Sequence, residues 1–198
     1  MKIPLPRPVL KGRVSVEEAI YSRISRRSFR DRGLTPAQAG QLLWAAGGPG
    51  AAGAAGVSRA APSAGATYPL ELYLAAGDLE GPGAGLYRYD FRAHALEKLQ
   101  QNDLRLALAR ASLGQEMIVQ APVSVIIVAH YERTTGRYGE RGYRYVHMEA
   151  GSVSENIYLQ AEALGLATVA VGAFDDVAVK KILAVDGAPL LLMPVGIR

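Results

Sequence analysis

The sequence predicts an α+β sandwich, with one mixed, mainly antiparallel sheet and helices on both faces. Three observations point there. Some segments repeat apolar residues at helical spacing, while others alternate them or run them together as strands do. The two kinds interleave without a strict strand–helix–strand repeat, which argues against a purely parallel sheet. Two short strand patterns also stand close together, as in a hairpin. The 198 residues suffice for one domain with a sizeable core, and 49% hydrophobic with 20% charged residues is ordinary for a globular chain.

The elements follow in order. Pro4, Pro6 and Pro8 hold the start extended, so residues 1–12 read as an arm ahead of a single domain at 13–198. Ser15-Val16-Glu17-Glu18 has the form of a capping box and starts a helix through Ile20 and Ile24. Thr35-Pro36 starts a second helix, with a hydroxyl to cap it and Pro at the first helical position. Leu42, Leu43 and Ala46 form its apolar side, and Gly47-Gly48 ends it. Residues 49–57 are rich in Gly and Ala and are expected to form a flexible loop. Leu70 to Leu74 alternates as a strand, and Gly85–Tyr89 with Ala95–Leu99 read as a hairpin. Asn102 or Asp103 caps a helix through Leu104, Leu108 and Ala111. Ser124 to Ala129 is a continuous apolar run, the mark of a central buried strand. Glu132 to Gly142 is polar and contains Gly, which predicts a mobile loop. A long helix follows from about Tyr145 to Leu164, with Val153, Ile157 and Ala161 on one face and Gly165 as its stop. Val169 to Val171 is expected as a strand, Asp175 or Asp176 as the cap of a short helix, and Leu190 to Val195 as the last strand.

Composition excludes several classes of chemistry. The chain has no cysteine, so disulfides, thiolate zinc sites and cysteine nucleophiles are ruled out. The net charge is +4, with 22 basic residues against 18 acidic ones, mostly scattered, which does not suit a nucleic-acid reader. The sequence shows no secretory signal and no apolar run long enough for a membrane span, so a cytoplasmic location is expected. His94, His130 and His147 stand far apart, and His147-Met148-Glu149 lacks the cysteines that a deaminase zinc motif needs. No Walker loop, Rossmann glycine fingerprint or G-x-S-x-G elbow is present.

Three segments carry possible chemistry. Arg26-Arg27-Ser28-Phe29-Arg30 places three guanidinium groups and a hydroxyl within five residues. If the chain extends there, Arg26, Ser28 and Arg30 share a side as a phosphate clamp; a basic helix end is the other reading. Pro62 to Pro69 is small and polar, which lets backbone approach a ring or phosphate, or makes an ordinary loop. Val171-Gly172-Ala173 lies at a strand-to-helix junction where backbone N–H groups can meet a ligand, or simply turn.

Taken together these segments resemble the nitroreductase family, and within it the SagB-type dehydrogenases. The similarity runs through Arg26–Arg30, Arg59–Gly65, Tyr68–Glu71, Gly85–Tyr89, Gln160–Leu166, Val171–Asp175 and Pro194–Gly196 in order. It implies the family's three-layer sandwich with FMN at a homodimer interface, NAD(P)H as reductant and a small organic molecule as acceptor. By the same resemblance Arg26, Arg27, Ser28 and Arg30 serve the phosphate and ribityl side, joined by Arg198. Pro62, Ser63, Ala64 and Ala66 are the loop brought by the other subunit, while Val171, Gly172 and Ala173 lie beside the reactive flavin edge. Ala150 and Gly151 of the long helix are expected in the core of the dimer interface.

The chain also departs from its relatives. Azoline-oxidising members typically carry a Lys-Tyr pair where Arg137-Tyr138 stands here, and Arg is a poor general base. Arg137 and Tyr138 are therefore expected on the substrate side without an assigned catalytic role. Ala66 replaces a polar amide and Leu70 an aromatic found in ordinary nitroreductases. Azoline oxidation and non-catalytic flavin binding remain the alternatives to FMN-dependent electron transfer.

Overall fold

The computed structural model describes residues 2–53 and 56–198. In chain order the elements are β1 (Lys2–Pro4), α1 (Val16–Ser22), α2 (Pro36–Gly47), β2 (Pro49–Gly53), β3 (Gly56–Arg59), β4 (Leu70–Ala76), β5 (Gly85–Asp90) and β6 (Ala95–Gln100). Then come α3 (Arg105–Ala111), α4 (Met117–Gln120), β7 (Val123–Ala129), α5 (Glu132–Tyr138), α6 (Arg141–Ala163), β8 (Leu166–Thr168), α7 (Asp176–Leu183) and β9 (Ala188–Ile197).

Seven strands form one sheet in the order β1-β6-β5-β4-β7-β9-β8. Each pairing between these strands is antiparallel. β7 is interior and buried at every position, as the apolar run from Val125 to Ala129 predicts. The period of two sorts the side chains into two cores. Leu70, Leu72 and Leu74 with Val123, Val125 and Ile127 pack beneath α2 and α6, against Leu42, Leu43, Val153 and Ile157. Tyr73, Ala75, Ile126 and Val128 face the other way, against Leu108 of α3 and Val179 and Leu183 of α7. The result is the expected three-layer α+β sandwich. A one-residue slip of β4 or β7 would exchange these two sets, so both cores enforce the register.

The helix starts follow local chemistry. Ser15 with Glu18, and Thr35 with Gln38, form reciprocal capping boxes. Asp175 caps α7 by accepting the N–H of Ala178. The extended start adds an edge strand, with Ile3 paired to Leu96 of β6.

Several expectations need correction. Residues 49–57 belong to the antiparallel pair β2/β3, which runs on to Arg59, rather than to a plain loop; residues 54–55 lie outside the described part. Gly and Ala offer no side-chain period, while backbone pairing needs none. The segment 132–142 is α5 and the start of α6, separated at Gly139 with φ +55°. Val169–Val171 is not a full strand. β8 is earlier, and Val171 makes a single bridge to Leu192, because the Tyr158 hydroxyl accepts the Ala170 N–H at 2.7 Å in place of a ladder partner. α4 has no sequence expectation to match it; four residues are too few for a readable period.

Candidate functional site

Two groups of the expected site residues assemble, at opposite ends of α6. The first begins where α1 stops. Arg23 takes extended backbone (φ −62°, ψ 119°), and the chain then runs against the end of the sheet. The Arg26 N–H donates to the Thr168 carbonyl and the Arg30 N–H to the Ile197 carbonyl, both at 2.9 Å. Arg26 Nη1 donates to Glu162 Oε2 at 2.6 Å, and Arg198 Nη2 reaches the same oxygen at 2.5 Å. Glu162 is 7% exposed, so one buried carboxylate fixes two guanidinium groups and leaves that trio positive. Arg27, Ser28 and Arg30 are exposed, and their side chains have no hydrogen bond or ion pair among the described residues. Arg26 is thus not a free member of the expected row. It is anchored, while Ser28 and Arg30 remain open.

Val171, Gly172 and Ala173 lie along the same side of β9. Val171 exchanges both backbone bonds with Leu192, at 2.8 and 2.9 Å. Gly172 and Ala173 are exposed, and their N–H groups have no acceptor among the described residues. The Ala173 carbonyl accepts from Gln115 Nε2 at 3.0 Å, which fixes the turn.

The second group is the loop from Pro62 to Pro69. A single 3-10 turn at Ala64–Ala66 carries Gly65 at φ +58° and, unusually for residues with a Cβ, Ala66 at +53° and Tyr68 at +45°. Such backbone persists only where its surroundings hold it. Ser63 Oγ accepts the Tyr68 N–H at 2.9 Å, Thr67 bonds the Thr134 hydroxyl at 2.8 Å, and Arg137 Nη1 donates to the Gly65 carbonyl at 3.1 Å. A Cβ at Gly65 would collide with the Tyr138 hydroxyl, so α5 is fitted closely onto the loop. The structure therefore joins Arg137 and Tyr138 to Pro62–Ala66. Beneath the loop lies Glu149, 7% exposed. Burial pushes its carboxyl above the usual range, opposed in part by the Ser63 hydroxyl and the Arg59 charge.

No hydrogen bond or ion pair among the described residues joins the two groups. Glu149 and Glu162 mark their places on α6, thirteen residues apart. At a rise of about 1.5 Å per residue the separation is roughly 20 Å. The sequence reading gave neither carboxylate a role in this site. The one available signal was their position beside the apolar stripe of α6, where a buried acid requires a partner.

The pattern of the Nitroreductase family matches residues 20–197. The chain belongs to the nitroreductase family. It is 44% identical over 183 residues to a provisionally named nitroreductase of Methanocaldococcus jannaschii, covering 92% of this chain and 91% of that protein. It is 29% identical over 148 residues to the microcin B17-processing protein of Escherichia coli, spanning 71% of this chain and 54% of that protein. Among solved structures, a provisionally named nitroreductase of Ralstonia eutropha superposes with a TM-score of 0.85 at 29% identity, over 99% of this chain and 89% of that one. As a nitroreductase-family protein the chain is an oxidoreductase. Among the described residues no helix is long and apolar enough to cross a membrane, and no cluster of three or more His, Asp or Glu could hold a metal ion.

Proposed function

We propose that this protein binds FMN in pockets shared by two copies and passes electrons from NAD(P)H to a small organic acceptor in the cytoplasm. The observation that carries the reading is the open basic group at the end of the sheet. Arg27, Ser28 and Arg30 stand without side-chain partners among the described residues, beside the Arg26–Glu162–Arg198 trio. Its donors suit a phosphate monoester, because guanidinium forks and a hydroxyl match phosphate oxygens. FMN, when bound, supplies the redox chemistry; the chain positions it and tunes its charge. Glu162 holds Arg26 and Arg198 in place and reduces their charge, leaving Ser28 and Arg30 to meet the phosphate. The free N–H groups of Gly172 and Ala173 are available to a ring edge. Since the loop from Pro62 to Ala66 lies roughly 20 Å away along α6, one chain's loop serves the other chain's pocket and brings Arg137 and Tyr138 with it.

A second reading, SagB-type azoline oxidation, is favoured by the likeness to the microcin-processing protein. The bond from Arg137 to the Gly65 carbonyl argues for loop fixing at that position rather than proton abstraction. A flavin-binding module without turnover would be recognised by the lack of any bleaching with reductant.

The purified protein, supplied with FMN, should show bound-flavin absorption that bleaches with NADH or NADPH and returns with an acceptor. The Ser28→Ala/Arg30→Ala double variant should bind FMN at least about tenfold more weakly, the equivalent of one charge-assisted bond. Wild-type affinity in that variant, with an unchanged circular dichroism spectrum, would place the phosphate elsewhere.

A further inference from the structure

A second concentration of guanidinium groups lies away from the open basic group just assigned. Between β4, the end of β5 and Arg59 is a cavity of about 350 Å³, lined by Arg59, Arg88, Arg92 and Arg133 together with Glu71 and Asp90. Three ion pairs close around it. Arg133 meets Glu71 at 2.5 Å, Arg88 meets Glu97 at 2.6 Å, and Asp90 meets Lys2 at 2.6 Å. Arg59 and Arg92 have no carboxylate partner among the described residues, so the cavity wall keeps two positive charges in excess.

Arg59 is the more telling of the two. Its Cζ lies 3.7 Å from the centroid of the Phe91 ring and 4.6 Å from that of Tyr68. These rings favour a cation but offer no lone pair in the guanidinium plane. Among the described residues its one side-chain hydrogen bond is long, 3.4 Å to the Leu70 carbonyl, and its buried Nε has no acceptor. A buried donor left unmet is costly, and more so on a charged group. Burial accordingly lowers the Arg59 pKa, with the charge of Glu149 opposing. Arg92 approaches the same Phe91 ring, at 5.6 Å, from the exposed side. Two unneutralised guanidinium groups thus converge on one ring at a cavity of metabolite size.

We propose that this cavity binds a small dianionic oxyanion, two carboxylates or a phosphate group, held between Arg59 and Arg92. In-plane donors of the two side chains meet its oxygens, and its two charges balance the excess on the wall. At about 350 Å³ the cavity suits a small metabolite rather than a dinucleotide.

Calorimetric titration of the purified, FMN-supplied full chain with inorganic phosphate and with succinate, at ionic strength fixed with chloride, tests this. Saturable binding of either anion is expected, and the arm that saturates identifies the chemistry. Arg92→Gln, an exposed substitution, should weaken it at least tenfold, as should Arg59→Gln if that variant folds, while Lys180→Gln, an exposed substitution on α7, should leave it unchanged. No saturation by either anion at millimolar concentration would overturn the proposal. So would binding that survives Arg92→Gln, or binding lost equally in Lys180→Gln.

Discussion

Glu149 and Glu162 lie on one helix, are equally buried and differ in what meets them. Glu162 has two guanidinium groups at bonding distance, whereas Glu149 has a hydroxyl and a more distant charge. Burial therefore holds the Glu149 carboxyl above its ordinary value of 4.5, so the folded chain keeps a proton that the unfolded chain has released. Stability from this proton is full below that value and is lost as pH rises through the folded pKa. Glu149→Gln cannot ionise and escapes the loss. Its Tm relative to wild type should climb with pH across that window and then level off; thermal melts every half unit from about pH 4 to 8 would show it, and a difference independent of pH would refute it. At this scale the sequence was legible where chemistry is local. The Arg-rich segment stands out because its groups are neighbours. Arg26 and Glu162 are 136 positions apart, and no short window can pair them.

Among the elements, legibility followed side-chain periodicity and caps. The box at Thr35 and Gln38 is visible in four residues and is formed in the structure, with the Gln38 N–H donating to Thr35 Oγ1 at 3.2 Å. Thr35→Ala should therefore cost about 1 kcal/mol of folding stability, read as a lower urea midpoint at unchanged slope. A midpoint equal to wild type would mean that the cap contributes nothing beyond α2 packing. α5 was not legible for the opposite reason. Seven residues cannot sustain a helix by propensity, and this one is fastened by tertiary bonds from Thr134 to Thr67 and from Arg137 to Gly65. β2 and β3 are likewise held by backbone pairing that Gly and Ala do not announce.

For the molecule as a whole, the layers were legible because two periodicities in one chain leave few ways to bury both kinds of apolar face. How copies meet was less so. Ala150 is 4% exposed and belongs to the internal core, so it is not the interface residue expected of it; Gly151, one position on, faces open space. One group of exposed apolar residues lies along the arm, α1 and the chain on either side of that helix: Val9, Leu10, Val14, Val16, Ile20 and Ile24. A groove beside them, lined by Trp44, Leu159 and Ala163 among others, has a volume of about 410 Å³. We expect a dimer that covers this surface and buries on the order of 2,000 Å² or more. Sedimentation equilibrium at micromolar protein should give twice the chain mass. A monomer that nevertheless binds FMN would sink the shared-pocket reading.

The margins of the sheet limit how such a union can be made. β1 is three residues long and contains Lys2 and Pro4; β8 is also three residues long, and the Arg26 N–H already occupies its Thr168 carbonyl. A proline offers no N–H, a lysine resists close docking, and a short ladder gives a newcomer little to grip. Neither margin can template a run of further strands. Growth of the seven-stranded sheet from molecule to molecule is disfavoured at both margins, so copies meet through helix and loop faces rather than by lengthening the sheet.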